Sequence, residues 1–408
     1  MMKKCGAVFL LFVCVFSTGL WEGGFEKRWV VNTTPNAEWL YVKGIFIAET
    51  PYQNITSIET STAASIKKEN ENYYMVYERQ YPETENFVYG TAKVISYYLP
   101  KIREDPALAG QPIYSDNEKV MYDGSIKAKA EELKNESVLE TIIALNDFVH
   151  SYVNYNESAA GEKDAVRVFQ ERQGVCVEYA HLLMAMLNAV GIENRMIYGY
   201  AYSEKWEPHV WVEAYVPNYG WIDVDPTYGQ VGFLDGRRIA MNIGKRKERM
   251  YDFVELRNGV VDFEYSLYTY PEREEGFDLA DISITYSWPY FIVKVENKND
   301  FYVFGGYEVG FPNNISDSEK KTIILKPHET VVFKYRVNEG ALEDGYIYYS
   351  NVRAKFLDSE KEERFEIRKP AVLVERHERE KEWWEIVIEE INNFLLEVGK
   401  KIGLVQEA

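Results

Sequence analysis

The sequence predicts an α+β protein in which a mixed helical and stranded core precedes a separate C-terminal β-sandwich. Apolar residues recur at three- and four-residue spacing over 138–152 and again after Cys176, which is the helical period. Alternating strand-like runs follow this second helix. Between 281 and 375 about seven further runs are separated by Asn, Asp, Gly and Pro, which is typical of an antiparallel sandwich.

Length and composition exclude several classes of protein. The 408 residues, 46% hydrophobic and 27% charged, describe a globular chain of more than one domain. A net charge of −19 argues against a nucleic-acid partner. The abundance of Lys and Glu, with only seven Gln, favours a thermophilic source.

Shifts in composition predict six regions. They are a signal peptide or N-terminal anchor (1–24), an N-terminal β-rich region (25–115), the mixed core (116–235), a linker (236–277), an immunoglobulin-like sandwich (278–374) and an amphipathic C-terminal helix (375–408).

The N-terminus has the pattern of an export signal. Lys3 and Lys4 precede an uncharged apolar run over 5–20, which is short for a membrane span and typical of a signal peptide. An uncleaved anchor is the alternative. Either way, we expect an exported protein, secreted or attached to the outer face of the cell membrane.

Two further segments are interpreted as structural. The basic run over 236–249 is expected to be a solvated connector rather than an anion-binding site, because the chain as a whole is strongly negative. The apolar stripe between Trp383 and Ile402 is expected to dock onto this or another protein. Its flanks lack the Lys/Arg excess of a membrane-surface helix.

Cys176 is the only cysteine beyond the N-terminal segment, so no internal disulfide holds the mature fold together. A lone thiol is either a small buried hydrophobe or a nucleophile. Here it follows Gly174 and begins a predicted helix that ends at Gly191. The unpaired N–H groups of a helix start favour a thiolate and would bind an oxyanion.

Two predicted strands supply partners for the thiol. His209 lies in an alternating strand over 209–216, and Asp225 ends the next strand over 220–225. Cross-strand partners share a face, so His209 and Asp225 lie together only if the connection has odd length. We therefore predict that Val216 pairs with Gly220, which sets Trp211 opposite Asp225 and the carboxylate diagonally beside the imidazole.

Neighbouring side chains are given structural roles. His181 is expected to pack or to face solvent, because five residues along a helix rotate it about 140° from Cys176. Glu178 and Arg195 are expected to form an ion pair that braces the helix.

The remaining polar and aromatic neighbours are expected to line the site. Tyr179 and Trp211 are interpreted as its walls, and Gln173 is considered as an oxyanion donor. Of the pair Asp223 and Asp225, the first is interpreted as solvated.

Three segments, GVCVEYAHLLMAMLNAVGIENR, PHVWVEAYVP and GWIDVDPT, together resemble the transglutaminase-like superfamily, papain-like thiol enzymes of chain order Cys, His, Asp. The resemblance, to a prokaryotic exported type, covers about 137–230. It implies a core with the Cys on a helix N-terminus and the His and Asp on adjacent antiparallel strands. It also implies that Cys176 is the nucleophile, His209 the base and Asp225 the orienting carboxylate. No cofactor and no metal is predicted.

The predicted function is thiol-dependent acyl transfer on amide or peptide bonds of a protein or peptide substrate. Hydrolysis is favoured over transamidation because water is abundant and no amine-binding pocket is evident. The alternative is a non-catalytic exported binding or envelope-assembly protein on the same fold. Partners are a protein or peptide substrate, with no nucleic acid, and membrane attachment through the N-terminal segment is open.

Overall fold

A computed structural model describes residues 19–161, 163–244, 252–276, 278–343 and 345–369. The described residues form two compact units, 19–338 with 350–365 and 339–349 with 366–369. The first unit contains the four described helices, the predicted site and most of the strands. No helix within the described ranges is long and apolar enough to cross a membrane.

The secondary structure follows the chain in three stretches. Six strands come first: β1 (Leu20–Thr33), β2 (Trp39–Ala48), β3 (Gln53–Thr60), β4 (Ala64–Glu69), β5 (Asn72–Gln80) and β6 (Glu85–Tyr97). The core then contains α1 (Gly124–Leu133), α2 (Val138–Tyr152), β7 (Asn154–Tyr155), α3 (Ala165–Glu171), β8 (Gln173–Gly174), α4 (Cys176–Val190), β9 (Asn194–Tyr202), β10 (Trp206–Val216), β11 (Gly220–Asp225), β12 (Gln230–Val231) and β13 (Arg238–Gly244). The last stretch contains β14 (Phe253–Arg257), β15 (Val261–Glu275), β16 (Asp281–Ser287), β17 (Tyr290–Glu296), β18 (Val303–Gly310), β19 (Glu319–Leu325), β20 (Thr330–Arg336), β21 (Ile347–Phe356) and β22 (Ser359–Arg368).

The N-terminal strands form two four-stranded sheets, in the orders β15-β1-β6-β3 and β14-β2-β5-β4. Alternate residues of β1 and β6 are buried, and their side chains form one apolar core with those of β2 and β5. Each sheet is completed by a strand that follows β13 in the chain, because β15 pairs with β1 and β14 pairs with β2.

The predicted linker over 236–277 is therefore wrong. It contains β13, β14 and β15 among its described residues. Every residue of β13 is buried, and the side chains of Gln53 and Asn72 bond to its backbone at Ala240 and Ile243. The alternating apolar residues Ile239, Met241 and Ile243 indicate a strand, but the basic residues on both sides of them led to the interpretation as a connector.

The predicted signal or anchor over 1–24 is partly corrected. Strand β1 begins at Leu20, and Trp21 is 1% exposed in the apolar core between the two N-terminal sheets. Residues 20–24 thus belong to the folded sheet. Residues 1–18 lie outside the described residues, as does the predicted C-terminal helix over 375–408.

The core has a five-stranded sheet in the order β12-β11-β10-β9-β13, with α4 packed against β10 and β9. Helix α4 begins at Cys176 and ends at Gly191, whose φ of +82° suits glycine, as predicted. The predicted register is confirmed: Val216 pairs with Gly220 and Val212 with Val224. The odd-length turn thus sets the faces of both strands.

Seven strands form two C-terminal sheets, in the orders β16-β17-β20 and β19-β18-β21-β22. Aromatic rings join the two sheets, for example Tyr307 on β18 and Phe333 on β20, whose centroids are 4.6 Å apart. The sandwich is less separate than the sequence predicts. Within the first unit, Tyr302 N–H donates to Ile102 O at 2.7 Å, and the Thr322 hydroxyl donates to Asp147 on α2 at 2.9 Å.

Candidate functional site

The N-terminus of α4 is held by a buried carboxylate. Glu178 accepts from the backbone N–H of Val175 at 2.9 Å and from that of Lys163 at 3.1 Å. Gly174 fits closely against it, since a Cβ at this position would lie 2.3 Å from Glu178 Cβ. These contacts fix the turn that presents Cys176.

The predicted ion pair between Glu178 and Arg195 is therefore wrong. Glu178 is occupied by backbone N–H groups, while Arg195 pairs with buried Glu213 and, at 3.1 Å, with Glu71. The helix start supplies one of these donors, Val175, three residues before Glu178, and the second, Lys163, lies 15 residues before it.

Cys176 is a free, partly exposed thiol that lies close enough to the imidazole of His209 to raise its pKa. His209 lies on β10, is 6% exposed, and contacts Asp225 Oδ2 through Nε2 at 2.8 Å. With Nε2 occupied by the carboxylate, Nδ1 is the ring nitrogen left for the thiol. The structure thus brings the three predicted residues together in the order Cys176, His209, Asp225.

The electrostatics of the imidazole favour its protonated form. Burial alone would lower the pKa of His209, but the charge and hydrogen bond of Asp225, together with Cys176, raise this pKa to about 9. An imidazolium next to a sulfur stabilises the thiolate.

Asp225 is fully buried and has four hydrogen-bond partners. Its Oδ2 accepts from His209 and, at 2.8 Å, from Arg238, while Oδ1 accepts from the N–H groups of Thr227 and Tyr228 at 3.0 and 3.2 Å. Burial raises the pKa of Asp225, but His209 and Arg238 more than offset this and hold the pKa well below its ordinary range. The carboxylate therefore stays charged at neutral pH.

Arg238 is the site residue that sequence reasoning missed. It lies at the start of β13, inside the run interpreted as a solvated connector, yet it is 2% exposed. Its other contacts are Gln230 Oε1 at 2.8 Å and Asp235 O at 2.7 Å. The apolar alternation that follows Arg238 was a signal for a strand, but Arg238 lies on the face opposite to those apolar residues, so the alternation did not indicate its burial.

Trp211 lies beneath the imidazole. Its ring is 6.0 Å from that of His209 with an interplanar angle of 20°, and its indole N–H donates to Asp223. Asp223 is 1% exposed, so its interpretation as a solvated carboxylate is wrong. Burial, and then the neighbouring Glu213, raise the pKa of Asp223 well above its ordinary value, which favours the neutral form.

The exposed walls of the site are two other tyrosines. Tyr228 has its ring 5.1 Å from that of His209 and is 44% exposed. Tyr155 is 56% exposed, and it pairs with Gly174, two residues before Cys176. Burial, and then the charge of Cys176, raise the pKa of Tyr155 to about 12.

The side chains predicted as neighbours of the thiol are used elsewhere. Tyr179 is buried and donates to Val153 O, so the expectation that it forms a wall is wrong. Gln173 accepts from Asn156 Nδ2 at 3.0 Å. His181 is buried with Nδ1 2.7 Å from Lys163 O, which agrees with the packing role expected.

Comparison with known proteins places this segment in a family. Residues 127–226 match the model of the transglutaminase-like superfamily. A protein-glutamine gamma-glutamyltransferase of Pseudomonas aeruginosa is 36% identical over 72 residues, 15% of this chain and 11% of that protein. An uncharacterized protein of Mycobacterium leprae is 25% identical over 104 residues, 23% of this chain and 37% of that protein. The chain thus spans about a tenth and about a third of these relatives.

Among solved structures, a protein of Cytophaga hutchinsonii provisionally assigned as a cysteine protease aligns with a TM-score of 0.44 and 18% identity, covering 63% of this chain and 94% of that one. The transglutaminase of red sea bream aligns with a TM-score of 0.24 and 11% identity, covering 83% of this chain and 78% of that one.

Proposed function

Since residues 127–226 belong to the transglutaminase-like superfamily, we propose that this protein is a thiol-dependent acyl-transfer enzyme acting on amide or peptide bonds. The observation that carries the proposal is the buried contact of His209 with Asp225 at 2.8 Å, next to a partly exposed Cys176 at a helix start. A structural cysteine would need neither a charged imidazole nor an oriented carboxylate.

The proposed reaction has two steps. The Cys176 thiolate attacks the carbonyl carbon, and the N–H groups at the start of α4 hold the oxyanion. The C–N bond then breaks as His209 gives its proton to the leaving amine, which leaves a thioester on sulfur and a neutral imidazole. His209 next takes a proton from water, the hydroxyl oxygen attacks the thioester, and the acid leaves as the C–S bond breaks.

Hydrolysis is the proposed outcome because water reaches the partly exposed thiol. Transamidation follows the same path to the thioester and differs in the attacking group. A turnover assay with a labelled primary amine separates the two: free acid without label supports hydrolysis, and label joined to the acyl product through an amide supports transamidation.

The substrate is proposed to be a protein or peptide. The wild-type protein and its Cys176→Ala variant are incubated with cell-envelope extract, and the peptides are compared by mass spectrometry. Cleaved or amidated products that need Cys176 support the enzyme. Identical peptide sets, together with a Cys176 that alkylates no faster at pH 6.5 than in His209→Ala, support the non-catalytic binding protein instead.

Export remains part of the proposal. Because Leu20 begins β1 and Trp21 is buried, we expect cleavage of a signal peptide to fall before Leu20. Sequencing the N-terminus of the protein from its native host tests this. An intact Met1 in a membrane fraction would indicate an uncleaved anchor, and removal beyond Trp21 would contradict the expectation.

A further inference from the structure

Two of the four hydrogen-bond partners of Asp225, and two oxygens that hold a third partner, Arg238, come from one loop. Residues 226–235 supply the N–H groups that bond to Asp225 Oδ1, and the Gln230 and Asp235 oxygens that hold Arg238. The loop is tied to the core sheet by a short ladder in which Val224 pairs with Val231 and Asp225 with Gln230. Two pairs of residues are a weak attachment for a segment with this many contacts.

A ring of the C-terminal sandwich packs against the far side of this loop. Phe304 on β18 is fully buried, and its centroid lies 4.9 Å from that of Phe233 at an interplanar angle of 72°. A Cβ on Gly232 would lie 2.7 Å from the Phe304 ring and 2.9 Å from Pro100, and its φ of +68° also suits glycine. The backbone at Gly232 therefore lies directly against Phe304.

Building on the proposed function, we propose that Phe304 is a positioning residue through which the sandwich holds the loop 226–235 and thereby the charge and hydrogen bonds of Asp225. The mechanical basis is the bond from Gly232 N–H to Asp223 O at 2.7 Å, which links the Phe304 contact to β11 two residues from Asp225. Removing the ring leaves a cavity beside Gly232 and Phe233, into which the loop relaxes. The N–H groups of Thr227 and Tyr228 then move away from Oδ1.

The test uses the full chain and follows Cys176 by mass spectrometry of its own peptide, so that Cys5 and Cys14 do not contribute. The readout is the iodoacetamide rate constant at pH 6.5 divided by that at pH 9.5, because this ratio reports how well His209 stabilises the thiolate. We expect Phe304→Ala to lower the ratio about tenfold, the effect of losing one hydrogen bond to a charged group. Phe304→Leu refills much of the space and should restore most of the ratio.

Phe291→Ala is the matched control. Phe291 is also a fully buried ring of the sandwich, but its ring contacts are Tyr286, Phe311 and Phe365, away from the loop. It should lower the unfolding midpoint and leave the ratio at the wild-type value. A second variant, Gly232→Ala, tests the same contact from the loop side and should lower the ratio as Phe304→Ala does.

The outcomes separate the inference from the proposed function. A folded Phe304→Ala or Gly232→Ala with the wild-type ratio, or a Phe291→Ala whose ratio falls equally, overturns the positioning role alone. If Phe304→Ala does not fold, the ratio of Gly232→Ala decides. A wild-type ratio no higher than that of His209→Ala means that the thiol is not activated, and it overturns the proposed function together with this inference.

Discussion

Replacing Asp225 by Asn removes one charge from the most enclosed part of the site. The side chain keeps its size and one acceptor oxygen, so packing changes little. Arg238, however, becomes a buried cation without its carboxylate, and His209 loses the group that raises its pKa. The variant therefore alters stability and reactivity through two different neighbours.

The size of each effect follows from the structure. Removing one partner of a buried ion pair destabilises a protein by about 3–5 kcal/mol, and Arg238 is 2% exposed. Without Asp225, its charge and hydrogen bond no longer offset burial, so the pKa of His209 falls from about 9. Each unit by which this pKa falls removes about 1.4 kcal/mol of the preference for imidazolium. At pH 7 the ring is therefore charged in a smaller fraction of molecules than in the wild type.

Urea unfolding and Cys176 alkylation measure the two effects. For Asp225→Asn we expect the free energy of unfolding to fall by about 3–5 kcal/mol and the alkylation rate at pH 6.5 to fall at least about tenfold. Asp223→Asn is the matched control. Asp223 is an equally buried carboxyl on the same strand, already favoured as neutral and bonded to Trp211 instead of His209. It should change the unfolding free energy by less than about 1 kcal/mol and leave the rate unchanged.

The double variant Asp225→Asn/Arg238→Met separates stability from reactivity. Removing the unpaired cation should recover at least half of the lost stability, because a buried pair is replaced by a neutral one. Alkylation at pH 6.5 should stay low. Wild-type alkylation in Asp225→Asn, or recovery of the rate in the double variant, would refute the role given to Asp225.

Three further outcomes are expected. Cys176→Ala and His209→Ala should each abolish turnover, and the double variant should lose no more activity than either single variant. Asp225→Ala should retain some activity. Additive losses in kcat/KM would contradict a single catalytic unit. The pKa of His209 lies above its unfolded value, so its stabilisation is complete below pH 6.5 and is lost as the pH rises through about 9. Between these pH values the free energy of unfolding of the wild type should fall by about 3 kcal/mol more than that of His209→Gln. Equal falls in the two proteins would rule this out. Glu178→Ala should lower the free energy of unfolding by about 2–3 kcal/mol, because the N–H groups of Val175 and Lys163 lose their acceptor. Glu140→Ala, on the exposed surface of α2, is the control. Equally small losses in the two variants would contradict the role of Glu178.

Features that depend on residues close together in the chain could be predicted from the sequence. The hairpin register of β10 and β11 depends only on the parity of a short turn and on the faces of neighbouring residues, so it could be deduced without coordinates. The same holds for the start of α4 at Cys176, which a glycine and an apolar stripe mark. The requirement that His209 and Asp225 share one face of the sheet selected the odd-length turn.

What the sequence did not reveal depends on pairing between distant segments. Arg238 looks like one more charge in a basic run, and its burial follows only from the place of β13 beside β9. Strands β14 and β15 were missed because their partners, β2 and β1, lie at the other end of the described chain. Phe304 gives no signal of its own, since a buried ring in a sandwich strand is expected with or without a contact to the core.

The order of strands in the N-terminal sandwich constrains how the chain folds. Its two sheets are completed by β14 and β15, so the entire core, from α1 to β13, is an insertion within it. A ribosome, or a translocation channel, would release β1 and β2 long before their partners. Until β14 and β15 arrive, β1 and β2 are open edges over a bulky apolar face, the arrangement most prone to pairing with another chain. Fragments that end after the core should therefore aggregate. The N-terminal sandwich should fold cooperatively, and only after β14 and β15 have been synthesised.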